Sequence, residues 1–172
     1  MFTTQLVGRL KKIESDEQYS IEDGARLLAQ ALVGEGSIYI YAKNEMEGIY
    51  SEIFDSVEPL NRAKRLTEEL IPTLSSADRV LLFTRDVLDD DILKVAKSLR
   101  ETDIPFVAVG SCPAKQENPL DDLAHVFINL YMDRGLVPTE TGGRAGFPHL
   151  IGALYVYHNI KIILDDMVED FE

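Results

Sequence analysis

The chain has 172 residues, 45% of them hydrophobic, with 30 acidic against 17 basic side chains and a formal net charge of -13; this length supports one substantial core and predicts a single domain over 1–172. So negative a field, with no run of Lys or Arg to override it, argues against nucleic acid and anionic lipid as partners. No stretch approaches the ~18 consecutive apolar residues of a membrane span, and Cys112 is the only thiol, so no intrachain disulfide forms and a reducing, cytoplasmic setting without membrane attachment is expected.

Residues 1–34 read as two helices. Phe2, Leu6, Leu10 and Ile13 recur at helical spacing, with Arg9, Lys11 and Lys12 breaking any continuous apolar run. A second helix is predicted from Ser20, an N-cap followed by Glu22 and Asp23 in the first turn, to a stop at Gly34. The sheet core is predicted over 35–135. "SIYIYA" (37–42) is short, β-branched and aromatic, as a strand requires, and 43–71 reads as helix interrupted near Pro59. "DRVLLFT" (78–84) predicts a second strand that leads into a helix over 88–102, "IPFVAVG" (104–110) a third, and "LAHVFINL" (123–130) a fourth, with His125 in its core. A last helix is predicted over 146–170, with Pro148 suited to its first turn. It is apolar on nearly every side from Leu150 to Tyr157, more than one sheet face covers, so the helix is also expected to join subunits into a homodimer or homotetramer.

Runs such as Val80–Phe83 and Phe106–Val109 are apolar at every position, which suits a sheet covered on both faces. With helices alternating between strands, the fold class is α/β: a three-layer α/β/α sandwich around a doubly wound parallel sheet. Such sheets bind ligands outside the carboxyl ends of their strands. Lys43 and Asn44 follow the first strand, Thr84 and Arg85 the second, and Ser111 the third. Hydroxyls, an amide and two cations suit a small phosphorylated polyol. The competing reading has Thr84 and Ser111 capping helices and Arg85 paired on the surface with Asp86 or Asp89. "TETGGRAGFPHLIG" (139–152) poses a similar choice: Thr141, Gly142, Gly143 and Arg144, just before a helix start, form either an anion cradle or a flexible connection.

Three segments, "GEGSIYIYAKNEMEGIYSEIF", "ADRVLLFTRDVLDDDILKVAKSLRETDIPFVAVGS" and "NPLDDLAHVFINL", resemble the SIS (sugar isomerase) domain, particularly its phosphoheptose isomerase branch, over about residues 20 to 130. The resemblance implies a five-stranded parallel sheet, dimers or tetramers, and a phosphosugar held by strand-end hydroxyls. Ala42, Asn44 and Met46 replace the glycine-rich turn usual after the first strand, and of the usual S-x-S-G-x-T loop only the first hydroxyl remains, at Thr84. Asp86 and Asp89 would repel a phosphate in that loop by about 4 kcal/mol each at 4 Å and an effective dielectric near 20, which directs attention to 139–152 as a replacement cradle.

Aldose–ketose isomerisation needs a base to move a proton between adjacent carbons and a partner for the oxygens, typically a carboxylate and a histidine. The resemblance implies a glutamate on the helix after the first strand and a histidine on the last helix. Its glutamate register falls at Ser56, one turn beyond Glu52; the candidate catalytic pair is therefore Glu52 with His149, which opens the last helix, while His158 and Asp55 read more simply as packed or solvated residues. Cys112 reads as structural. No metal ligand set and no cofactor is expected. Two functions follow: a protein binding a phosphorylated sugar or related small anion, extending to a sedoheptulose 7-phosphate isomerase; or an inactive binding, regulatory or scaffold module on the same fold.

Overall fold

A computed structural model describes all 172 residues. Its centre is a five-stranded, wholly parallel sheet in the order β2-β1-β3-β4-β5, formed by β1 (Ile38–Ala42), β2 (Ala63–Arg65), β3 (Arg79–Phe83), β4 (Phe106–Gly110) and β5 (Val126–Asn129). Side chains alternate across a strand, so β3 sends Leu81 and Phe83 to one core and Val80 and Leu82 to the other. Helices α1 (Phe2–Val33), α2 (Ile49–Asp55) and α5 (His149–Glu169) cover the first face; α3 (Asp90–Glu101) and α4 (Pro119–Leu123) cover the second. This accounts for strands apolar at every position.

The predicted break before Ser20 does not occur, and α1 is one helix of 32 residues, about 48 Å long at 1.5 Å per residue. Its inward stripe runs unbroken through Ile13, Glu17, Ile21, Ala25, Leu28 and Leu32, with no Gly or Pro near Ser20 to stop the helix. Burial of that continuous stripe outweighs the local cap signal. Glu17 is the one carboxylate in the stripe; it accepts a 2.5 Å hydrogen bond from the Tyr131 hydroxyl, and burial holds its pKa above the usual range against the lowering effect of that bond.

The helix predicted over 43–71 is also revised. A single 3-10 turn (Asn44–Gly48) and α2 end at Asp55, and the chain then supplies β2 and a second 3-10 turn, Glu68–Thr73. β2 is the fifth strand that the SIS resemblance implies and that propensity hides. Its three residues are too few for a periodic signal, and it is held by β1, with Ile38 opposite Ala63 and the Leu66 N–H donating to the Ile40 carbonyl at 2.8 Å. His125 is not in a strand core: β5 starts at Val126, and His125 is an exposed rim residue whose Nδ1 accepts from the Phe106 N–H at 3.3 Å.

Candidate functional site

The parallel sheet gathers its connecting loops at one edge. After β1, Asn44 takes a left-handed backbone conformation (φ 57°) and turns the chain into a 3-10 turn that carries Glu45 over that edge. After β3, the Thr84 hydroxyl donates to the Asp86 carbonyl at 2.8 Å and accepts from the Asp86 N–H at 3.3 Å, closing a tight turn with Arg85 at its tip. After β4, Ser111 accepts from the Met132 N–H at 3.2 Å, tying the β4 and β5 exits together. His149, the first residue of α5, completes the ring. These groups, with Asp86, Pro113, Asp133 and Phe147, enclose a crevice of about 420 Å³.

Arg85 grips Glu45 with two parallel hydrogen bonds, Nε to Oε1 at 2.8 Å and Nη2 to Oε2 at 2.7 Å. Burial alone would raise the Glu45 carboxyl; the Arg85 hydrogen bonds and charge bring it below the usual range. His149 is only 5% exposed and stacks on Phe147 with ring centroids 5.9 Å apart. Its Nδ1 lies 3.2 Å from Glu45 Oε1, near enough for attraction, but it is not aligned for a hydrogen bond and has no other partner. Burial, with Arg85 adding to it, lowers the imidazole pKa despite the carboxylate, so the ring is neutral at pH 7. The result is an ionised carboxylate beside a neutral, under-satisfied imidazole at the mouth of an open cavity.

Of the residues singled out from sequence, Arg85, Ser111 and His149 meet at the crevice. Thr84 is buried beneath it with its hydroxyl committed to its own turn, and Asn44 contributes backbone shape. Lys43 turns away to Asp91 and Asp89, the latter being the N-cap of α3. Glu52 is on α2, 3.4 Å from His158 Nε2, and does not reach the crevice. Thr141, Gly142, Gly143 and Arg144 belong to a hairpin of β6 (Val137–Pro138) and β7 (Arg144–Ala145). There the Gly143 N–H donates to Thr139 Oγ1 at 2.9 Å, the Thr139 and Thr141 hydroxyls share a 3.1 Å contact, and Gly142 supplies the positive φ of the turn. Arg144 donates to the carbonyls of Gly135 (2.6 Å) and Leu136 (3.2 Å), so the loop is neither loose nor a cradle aimed at the crevice.

Glu45, Asp86, Asp133 and Phe147 are the lining residues that sequence reasoning did not assign to a site. Glu45 lay one residue beyond the two positions read after the first strand, and Phe147 two before His149. The Arg85 partner expected from sequence was Asp86 or Asp89; Glu45, 40 residues away, takes that place. No three His, Cys, Asp or Glu side chains converge as a metal ion would require.

Strand order and the position of the crevice define the fold of sugar isomerase (SIS) domains, and solved structures share it. A phosphoheptose isomerase from Francisella tularensis superposes with a TM-score of 0.70 at 11% identity over 95% of both chains. The Vibrio vulnificus NanR protein complexed with ManNAc-6P gives 0.70 at 16% identity over 99% of this chain and 64% of that one, so this chain spans less than two thirds of NanR. Escherichia coli CFT073 c3406, solved in complex with a phosphosugar, gives 0.66 at 11% identity, over 99% of this chain and 89% of that one. By sequence the chain belongs to the family described as Domain of unknown function (DUF2529), whose profile matches residues 1–168. It is 38% identical over 171 residues to the uncharacterized protein YwjG of Bacillus subtilis (strain 168), covering 99% of this chain and 98% of that one.

Proposed function

We propose that the crevice binds a phosphorylated sugar and that the protein acts on it in the cytoplasm. The observation that carries this reading is the unmatched Nδ1 of buried His149 beside ionised Glu45, facing an open cavity at the carboxyl edge of a parallel sheet. The carboxylates of Glu45, Asp86 and Asp133 accept hydrogen bonds from sugar hydroxyls, and Ser111, whose oxygen accepts from Met132, has its own proton to donate. Phe147 offers a flat apolar wall. The phosphosugars bound by NanR and c3406 support the ligand class.

The matching chemistry is aldose–ketose isomerisation of the phosphoheptose type. Glu45 takes the proton from the carbon next to the carbonyl and returns it to the neighbouring carbon, while His149 carries the hydroxyl proton from one oxygen to the other. No atom is gained or lost. The catalytic carboxylate in this reading is Glu45, in place of Glu52.

Thermal melts with sedoheptulose 7-phosphate and a panel of other sugar phosphates test binding: at 100 times its dissociation constant a ligand adds about 2.7 kcal/mol. No shift with any member overturns the reading. His149→Gln is expected to retain binding and lose roughly 10²–10⁴-fold in turnover, followed as solvent deuterium incorporated at the reacting carbon. A second reading, binding without turnover, is favoured by the Thr84 hydroxyl being closed into its own turn; a melt shift with no deuterium incorporation selects it. We also propose that α5 joins subunits into a homodimer or homotetramer through its outward Ile151 and Ile162, 41% and 63% exposed. Light scattering that reports a monomer removes that part.

A further inference from the structure

The crevice is badly charged for a phosphoryl group. Its one cation, Arg85, is already matched by Glu45, and Asp86 and Asp133 add two carboxylates with no cation paired to them. Beside it lies a cavity of opposite character. It measures about 390 Å³, lies between α1 and the exits of β4 and β5, and shares Pro113 and Asp133 with the crevice as a common wall. Arg9, Lys12 and Arg134 line it, opposed by Asp133 alone. Arg9 and Lys12 are three apart on α1 and therefore share a face. Neither Arg9 nor Arg134 makes a salt bridge or a side-chain hydrogen bond; Lys12 pairs only with Asp16, at 3.5 Å and about half exposed, and lies 4.8 Å over the Tyr131 ring. Two arginines unmatched at one cavity are conspicuous in a chain of net charge -13.

The floor of this cleft is fixed in advance. Asn129 Oδ1 accepts from the Tyr131 N–H at 2.9 Å and from the Cys112 N–H at 3.2 Å, and its amide donates to the Cys112 carbonyl at 3.3 Å. These bonds hold Tyr131 in the left-handed region (φ 53°), a conformation that persists only where surroundings enforce it and that gathers at ligand sites. Tyr131 and Asn129 both line the cavity.

We propose that the phosphoryl group of the ligand is held in this cleft by Arg9, Lys12 and Arg134, while the hydroxylated chain crosses the wall formed by Pro113 and Asp133 into the crevice. The inference rests on the phosphosugar reading above and relocates the anion: it leaves the turn after β3, where Asp86 stands, for α1 and the loop after β5. Sugar hydroxyls passing Asp133 meet an acceptor, whereas a phosphate placed there would meet a like charge.

The test uses inorganic phosphate as probe on the full chain, followed by NMR of backbone amides and arginine Nε–H groups. Expected are shifts at Arg9, Lys12, Tyr131 and Arg134, with affinity falling about tenfold or more for each arginine removed in Arg9→Gln and Arg134→Gln, and weakening with added salt. Arg134→Lys should retain part of the affinity, separating loss of charge from loss of structure. Shifts confined to Arg85 and His149, or no saturable shifts at all, overturn the inference. If a sugar phosphate binds and Arg9→Gln/Arg134→Gln leaves its affinity unchanged, the phosphosugar reading stands and this placement fails. If inorganic phosphate binds at Arg9 and Arg134 but no sugar phosphate shifts the melting temperature, the cleft stands as an anion site and the sugar reading fails.

Discussion

Arg85 and Arg144 lie on loops that lead to the same helix start, and they use the same guanidinium in opposite ways. Arg144 donates to two backbone carbonyls of its own hairpin, fixed neutral acceptors that no ligand replaces without unfolding the loop. Arg85 holds a carboxylate 40 residues away across an open crevice, with the two side chains 48% and 37% exposed. Pairs so exposed contribute about 0–1 kcal/mol, so exchanging that partner for a ligand costs little. An arginine beside a glycine-rich turn therefore says less about function than what the arginine faces.

The contrast breaks most visibly at Gly135. A Cβ there would lie 2.7 Å from the Ala145 carbonyl oxygen and 2.8 Å from its nitrogen, backbone atoms that cannot step aside. Gly135→Ala is expected to cost roughly 1–3 kcal/mol and several degrees of melting temperature; an unchanged melt would mean the hairpin does not support the fold. Arg144→Ala should cost about 1–2 kcal/mol through two lost hydrogen bonds and speed amide exchange at Leu136 and Thr139, whose N–H groups bond to Gly146 and Gly143 across the hairpin.

His149 gives a smaller effect with a defined sign. Its folded pKa is depressed, mainly by burial, so below about 6.5 the unfolded chain takes up the proton first. The stability that depends on the neutral ring is complete above that pH and is lost as pH falls through it. Melts from pH 7.5 to 5.5 should therefore show His149→Gln gaining on the wild type; the opposite trend would mean Glu45 keeps the ring protonated. Arg85→Ala is expected to change stability by less than about 0.5 kcal/mol, the smallest effect of the series, while weakening ligand binding. A large loss of stability would place Arg85 with Arg144 as a structural residue.

The sheet was legible because Val80–Phe83 and Phe106–Val109 must be buried on both sides, and burial on both sides leaves a pattern that local sequence carries. β2 was not, because Ala63–Arg65 are strand residues only by virtue of the open edge of β1. The rule that places ligands at strand exits correctly drew out Arg85, Ser111 and His149 as neighbours. It missed where Lys43 goes, since the carboxylates at the start of α3 outbid the crevice for it. It also missed the bond between Arg85 and Glu45, because pairing across 40 residues leaves no mark in either segment.

The hydrogen bond between Glu17 and Tyr131 bears on how α1 is seated. A slide of one turn, about 5.4 Å, would drag an unmatched acid along the apolar face of the sheet and leave the phenol without its acceptor. The helix thus has one admissible register on its bed, and the same latch decides how far the upstream arm carrying Arg9 reaches beyond the sheet margin.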